Sequence, residues 1–248
     1  MKVSIITAVY NRVETISHTL ESVLEQTHPD IEYIVVDGMS NDGTESIVSE
    51  YSDRIDKQVR EKDQGIYDAL NKGIRMASGD VVGLLHADDF FAHRDVVANI
   101  AQEFSADHST MGVYGDLVYV DRHEPTRTVR RWKSGDYEVS KYRWGWMPPH
   151  PTVYFRRECY LRHGLFRDDL HFAADYELLL RMMLVNGVPM RYIPQILVCM
   201  RVGGLSNASV SNRIQANRED AKAWSVNGLR PPWALRLLKP LRKIYQYF

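Results

Sequence analysis

The densest chemistry in the chain lies at residues 81–91, Val-Val-Gly-Leu-Leu-His-Ala-Asp-Asp-Phe-Phe. A short apolar run, β-branched at its start, ends abruptly in His86, Asp88 and Asp89. Such a run reads as a buried central strand, so the polar cluster sits where that strand leaves its sheet. Two adjacent carboxylates are costly there unless something neutralises them. A divalent cation bound to a phosphate would do so. A solvated strand-end turn is the alternative that this stretch alone leaves open.

Three more polar clusters follow predicted strands: Tyr10-Asn11, Asp37 to Asp42, and Glu61 to Gly65. The carboxyl ends of parallel strands lie along one edge of a sheet, and ligands bind there. The four clusters therefore converge on one cleft lined by acids and small polar groups. No Gly-x-Gly-x-x-Gly follows the first strand and no Gly-x-x-x-x-Gly-Lys-Ser/Thr occurs, which argues against a dinucleotide fold and excludes a P-loop enzyme. A phosphate-bearing ligand in an acid-lined cleft calls for a hard cation with oxygen ligands, Mg²⁺ or Mn²⁺. Zinc at His86, Asp88 and Asp89 is disfavoured, because neither a recurring His-x-x-x-His nor a cysteine cluster accompanies them.

The elements that must position these groups are legible as periodicities. Residues 2–10, 31–37, 55–60 and 81–85 read as strands; 14–26, 44–51 and 67–77 read as helices between them. This β-α-β-α alternation predicts a parallel sheet with helices on its faces. Helix 95–105 and strand 111–120 follow, then an Arg- and Thr-rich stretch, 122–134, that suits a hairpin. An aromatic, proline-rich loop, 144–151, precedes a strand at 152–155. An amphipathic helix spans 175–186, a strand 190–198 with Pro194 at an edge or bulge, and a polar helix 212–224.

Composition sets the outer limits. The 248 residues are 44% hydrophobic and 25% charged, an ordinary globular mix with room for one large domain or two small ones. A net charge of −1 gives no bulk electrostatic case for nucleic acid. Cys159 and Cys199 form neither a zinc spacing nor a disulfide framework, and Cys159 reads as a small buried hydrophobe. No apolar run approaches the ~20 residues that span a bilayer, and no signal-peptide pattern opens the chain, so a cytoplasmic location is expected. Residues 231–248 mix Arg and Lys with Leu, Ile and aromatic residues and hold no acid. That suits an amphipathic helix on an anionic membrane, the alternative being a helix docked on the core.

The ordered motifs carry a resemblance. Ser4-Ile-Ile-Thr-Ala-Val-Tyr-Asn11, Val35-Val-Asp-Gly-Met-Ser-Asn-Asp-Gly-Thr44, residues 63–74, Ala77-Ser-Gly-Asp80 and Leu84-Leu-His-Ala-Asp-Asp89 resemble glycosyltransferase family 2, especially members of bacterial polysaccharide and lipopolysaccharide assembly. The likeness resumes at 149–157 and 174–181. It implies a GT-A fold, with a Rossmann-like, mostly parallel central sheet flanked by helices and a C-terminal helical extension. The implied division is a catalytic domain over 1–205, with a nucleotide-sugar half (1–120) and an acceptor-side half (121–205), then an extension over 206–248.

The resemblance also implies roles. The family's Asp-x-Asp motif falls on His86 and Asp88, so Asp88 is the expected metal ligand, for Mn²⁺ or Mg²⁺, while His86 brings no fixed negative charge. Thr7, Tyr10, Asp37, Asp63, Asn71, His86 and Asp89 are expected around a nucleotide-diphospho-sugar donor, with Ser40 and Asp42 shaping the turn. Leu70 stands where many relatives carry a nucleotide-contacting Arg, which leaves the base open. Asp175 matches the general base of inverting relatives, the alternative being a helix N-cap. Trp144, Trp146 and His150 are candidate acceptor residues, or packing of the loop. Residues 201–206 are a candidate closing loop, or a plain turn. The implied enzyme is an inverting, metal-dependent sugar transferase with a lipid-linked saccharide acceptor, peripheral on the inner face of a bacterial cytoplasmic membrane. A nucleotidyltransferase and a sugar-nucleotide-binding protein with a decayed site are the rivals.

Overall fold

The computed structural model of the chain describes residues 1–203 and 210–232. Strands β1 (Val3–Val9), β2 (Ile31–Asp37), β3 (Lys57–Arg60) and β4 (Val81–Leu84) alternate with helices α1 (Ile16–Leu24), α2 (Thr44–Glu50) and α3 (Ile66–Met76). There follow β5 (Phe90–Phe91), α4 (Val96–Ala106), β6 (Gly112–Val120), β7 (Thr128–Trp132), α5 (Val139–Arg143), β8 (Tyr154–Arg156), α6 (Arg157–His163) and α7 (Ala174–Leu179). A π-helical turn, Leu180–Val185, continues α7; β9 (Met190–Arg201) and α8 (Val210–Val226) complete the described residues.

The strands form one sheet in the order β3-β2-β1-β4-β8-β6-β9-β5, with β7 paired to β6. β1 runs parallel to β2 and β4, β2 to β3, and β6 to β9. The sheet is mixed rather than mostly parallel, because β8 enters antiparallel between β4 and β6. Gly83 admits it: a Cβ there would stand 1.9 Å from Cε1 of Tyr154, its partner on β8. The chain turns one way from β1 to β2 and β3, then crosses to β4 on the other side of β1. That reversal opens a crevice beyond the carboxyl ends of β1 and β4.

Alternation along the strands builds two cores. Ile5, Val9 and Val35 face α1 and α4 through Leu20, Val23, Ile100 and Phe104; Ile6, Ile34 and Val36 face the side of α3, α7 and α8. Three expectations need adjustment. The helix expected over 175–186 is α-helical only to Leu179. Strand 190–198 extends to Arg201, with Pro194 inside a register slip against β6. The strand expected at 152–155 is a 3₁₀ turn, His150–Thr152, followed by β8. β6 ends at Val120, inside the continuous sheet.

The opposite edge of the sheet holds a purely structural cluster. Buried Glu32 accepts hydrogen bonds from Lys57 Nζ (2.7 Å), Ser4 Oγ (2.5 Å), and Ser78 N (2.7 Å) and Oγ (2.6 Å). Burial works to raise its carboxyl, but these donors together hold it far below its ordinary 4.5. A group depressed on folding stabilises above its unfolded value, and that stability is lost as pH falls. Stability should therefore drop as pH falls below 4.5. Glu32→Gln should cost about 2 kcal/mol at pH 7 and flatten that acid limb. Urea melts of both proteins at pH 7, 5, 4 and 3 test this; identical limbs would refute it.

Candidate active site

The turn after β4 is tied from three sides. Asp89 N–H donates to the His86 carbonyl at 2.9 Å, closing a tight turn over Ala87 and Asp88. From α1 and the residue before it, Thr15 and Thr19 hydroxyls donate to the carbonyls of Ala87 (2.9 Å) and Asp89 (2.7 Å). From β9, Arg201 Nη1 donates to the Asp88 carbonyl at 2.6 Å. The Asp88 carboxylate stays partly exposed, with Arg12 Nε 3.9 Å away.

Asp89 differs from its neighbour. It is fully buried, its Oδ1 accepts from Arg201 N–H at 3.3 Å, and burial, then the charge of Asp88, pushes its carboxyl well up. It locks the turn to β9 rather than facing the cleft. Arg201 is likewise interior, its guanidinium also on His18 Nδ1 at 2.7 Å, so the candidate closing loop does not begin there; residues 204–206 of that loop lie outside the described residues.

His86 joins the turn after β4 to the residues that lead into β8 and α7. Its Nε2 meets His150 Nε2 at 2.9 Å, and His150 Nδ1 meets Asp175 Oδ2 at 2.9 Å. Asp175 Oδ1 accepts from Tyr176 N–H at 2.8 Å and from the Tyr67 hydroxyl at 3.4 Å. A polar line thus runs Tyr67–Asp175–His150–His86. Burial, then His150, pushes the His86 imidazole down to about 4, so it is neutral near pH 7. His150 Nδ1 donates to the carboxylate; where its Nε2 accepts from His86 Nε2–H, His86 Nδ1 is left as a bare lone pair. That nitrogen is buried and has no hydrogen-bond partner.

Asp175 is the second residue of α7. Ala173 holds the N-cap position without a side-chain bond, so Asp175 is not the cap, although it does hold the Tyr176 N–H. Glu177 belongs to the helix framework, paired with Arg181 at 2.9 Å.

At the end of β2, Asp37 Oδ1 accepts from Ser40 N (2.9 Å) and Oγ (2.6 Å), and Asp42 Oδ1 accepts from Thr44 N (3.0 Å) and Oγ1 (2.6 Å). Ser40 and Asp42 therefore shape the turn, as expected. Asp37 Oδ2 has Arg60 Nε at 3.3 Å but no hydrogen bond. Asp63 lies against Gly38, where a Cβ would come within 2.7 Å of its Oδ2. Burial pushes the Asp63 carboxyl up against the pull of Lys72, whose ammonium reaches it at 2.5 Å and also pairs with Glu61 and Asp68. Tyr10 is 58% exposed beside Gly38.

Three expected site residues prove to be framework. Thr7 is wholly buried, its hydroxyl 3.1 Å from that of Tyr33. Asn71 spends both ends of its amide on Phe166, donating to the carbonyl and accepting from the N–H at 2.9 Å each. Trp146 is 5% exposed, packs on Tyr114, Tyr137 and Tyr142, and donates to the Ser134 carbonyl at 3.0 Å. Trp144, 61% exposed, remains open to a ligand. Sequence reasoning missed Tyr67, Lys72 and the partner cations Arg12 and Arg60. Only the Asp68–Lys72 spacing, one helical turn, offered a signal.

Among the described residues, no cluster of three or more His, Cys, Asp or Glu could enclose a metal unaided. Four buried side-chain atoms there lack hydrogen-bond partners, and three of them, Asp37 Oδ2, His86 Nδ1 and Asp89 Oδ2, lie at or just beyond the carboxyl ends of β2 and β4. Mg²⁺-type sites are commonly completed by substrate phosphates and water around one or two protein ligands. Asp88, with His86 beside it, fits that kind of shared site.

An α/β domain with a strand-end cleft of this kind matches the glycosyl transferase family 2 model over residues 4–166. The chain belongs to that family and is a GT-A-type glycosyltransferase. It is 28% identical over 211 residues to a PGL/p-HBAD biosynthesis glycosyltransferase of Mycobacterium bovis, covering 84% of this chain and 80% of that protein. An uncharacterized glycosyltransferase of Mycobacterium tuberculosis is 33% identical over 190 residues, 74% of this chain and 69% of the relative. In fold the chain is similar to the mannosyltransferase PcManGT from Pyrobaculum calidifontis, solved with GDP-Man and Mn²⁺, at TM-score 0.69 and 22% identity over 97% of this chain and 71% of the other. It is also similar to S. aureus TarS 1–349, solved with UDP-GlcNAc, at TM-score 0.67 and 18% identity over 92% and 65%. The chain spans only 39% of the longer TarS chain.

Proposed function

We propose that the enzyme transfers a hexose from a nucleoside-diphospho-sugar to a saccharide hydroxyl with inversion, in cell-surface polysaccharide assembly. The observation that carries this reading is the line from Asp175 through His150 to His86, which joins a carboxylate to the edge that holds Asp88. In this mechanism Asp37, Asp63 and Tyr10 hold the nucleotide. Asp175 takes the proton of the acceptor hydroxyl, whose oxygen attacks the anomeric carbon. The bond from that carbon to the diphosphate oxygen breaks, and its electron pair leaves with the diphosphate. Mg²⁺ or Mn²⁺, held by Asp88 and the diphosphate, would offset the negative charge on the leaving group. Tyr67 stays a hydroxyl donor to Asp175, since burial and then the Asp175 charge make its hydroxyl a much weaker acid than a free tyrosine. His150 donates to the other carboxylate oxygen and so orients it.

Trp144 supplies an exposed aromatic face for the acceptor sugar. Among the described residues no helix is long and apolar enough to cross a membrane. The basic, aromatic character of 231–248, most of it outside the described residues, favours an anionic membrane surface and a lipid-linked acceptor. A thermal-shift panel of UDP-, GDP- and dTDP-hexoses with Mn²⁺ tests the donor class. At 100-fold over Kd, binding contributes about 2.7 kcal/mol, a rise in Tm of roughly 5–10 °C for a chain of this size. One nucleotide class should give that shift; a flat response to all three would end the transferase reading.

A further inference from the structure

Three deeply buried glutamates lie outside the proposed chemistry. Glu32 and Glu177 each face a cation, Lys57 and Arg181. Glu219, on α8, faces none among the described residues. Its Oε2 accepts instead from the backbone N–H groups of Phe172 (2.7 Å) and Ala173 (3.1 Å), and its Oε1 from Gln215 Nε2 (3.1 Å). A buried carboxylate without a counter-cation is held only where its hydrogen bonds repay the burial. Here they fall on the two residues that lead into α7. Ala173, the N-cap, has no side chain able to hold the free N–H groups of a helix start. Glu219, from another helix, ties down the N-cap N–H of Ala173 and that of Phe172 before it, as the glutamate of a capping box ties the N-cap N–H within one.

Asp175 lies two residues beyond Ala173, so whatever fixes the start of α7 fixes Asp175. The docking of α8 is reinforced by Trp224 Nε1, which donates to the Tyr176 hydroxyl at 2.9 Å, and by Asn227 Nδ2 on Glu177 at 3.0 Å. We infer that Glu219 is a positioning residue for Asp175, and that α8 is thereby part of the transfer apparatus rather than an appendage. The inference rests on Asp175 being the base.

Kinetics with the sugar nucleotide selected by the panel, p-nitrophenyl glycosides as acceptors and nucleoside diphosphate release as readout, test it. Glu219→Ala should lower kcat about 30-fold, since displacement of a reacting group by about 1 Å costs up to 10²-fold, with the donor KM within twofold of wild type. Glu219→Gln keeps an acceptor oxygen for the two N–H groups and should recover kcat to within about threefold. Lys222→Ala, on the same helix as Glu219, removes an exposed ion pair and a carbonyl hydrogen bond to Asp169 in the loop before α7, and should match wild type. If Glu219→Ala does not fold, Glu219→Asp, too short to reach both N–H groups, takes its place with the same expected split. A kcat for Glu219→Ala (or Glu219→Asp) within twofold of wild type overturns the inference, as does a donor KM that rises in step with the loss. A Glu219→Gln no better than Glu219→Ala also overturns it. Asp175→Asn, run alongside, separates the two readings. Full activity there defeats the base assignment, whereas an inactive Asp175→Asn beside an unimpaired Glu219→Ala defeats only the role of Glu219.

Discussion

Asp175→Asn should fold, bind donor with unchanged affinity, and lose about 10³-fold in kcat, within the range that removal of a general base produces. The substitution is nearly isosteric, and an amide oxygen in the place of Oδ1 still accepts from Tyr176 N–H and Tyr67. What changes is the other position. There an amide NH₂ meets His150 Nδ1, itself a donor in the wild type, and no group remains to take the acceptor's proton. Because Asp175 stands on α7, away from Asp37 and Asp63 at the ends of β2 and β3, the donor KM should hold within twofold. A steady-state comparison of kcat and KM checks this, and a variant that keeps the wild-type rate removes Asp175 from the chemistry.

Asp88→Ala should lose about 10²- to 10³-fold in kcat/KM, the usual scale for deleting one group that stabilises developing charge. It should also abolish stimulation by Mn²⁺. The fold should survive, because the Asp88 carboxylate is partly exposed and its only ion pair among the described residues is the long one to Arg12 at 3.9 Å. Asp89→Ala is the instructive contrast. It removes a buried carboxyl bound to Arg201 N–H, so its loss should appear in stability first. Calorimetric titration of Mn²⁺ with UDP or GDP into wild type and Asp88→Ala reads the shared site directly. Equal metal-dependent binding by the two proteins would exclude Asp88 as the ligand.

How much of this was legible beforehand varied with the range of the interactions involved. The first four strands and three helices followed from alternation and helical spacing, both local properties. β5 did not, since two residues carry too little period to be seen, and β8, three residues long, was expected two residues early. The mixed direction of the sheet depends on where Tyr154 finds room, and that room is the missing side chain of Gly83, 71 residues earlier. Likewise Asn71 sits in a motif associated with the donor, yet its amide matches the Phe166 backbone, and Trp146 sits in an aromatic loop whose ring turns inward. Residue type announced a polar or aromatic contact in each case, but the partner was set by packing.

The strand-end turn His86-Ala87-Asp88-Asp89 shows both levels. The amino-acid order alone determined that an apolar strand would deliver two carboxylates to the edge of a sheet, and left open whether a cation would neutralise them or a solvated turn would hold them. Only the tertiary structure decided which carboxylate took which course. Asp89 turned into the interior against β9, where burial raises its carboxyl. Asp88 stayed at the cleft. The same long-range packing placed His150, from a loop, within hydrogen-bonding distance of both His86 and Asp175, which starts a helix, a juxtaposition across 89 residues of chain that no local spacing encodes.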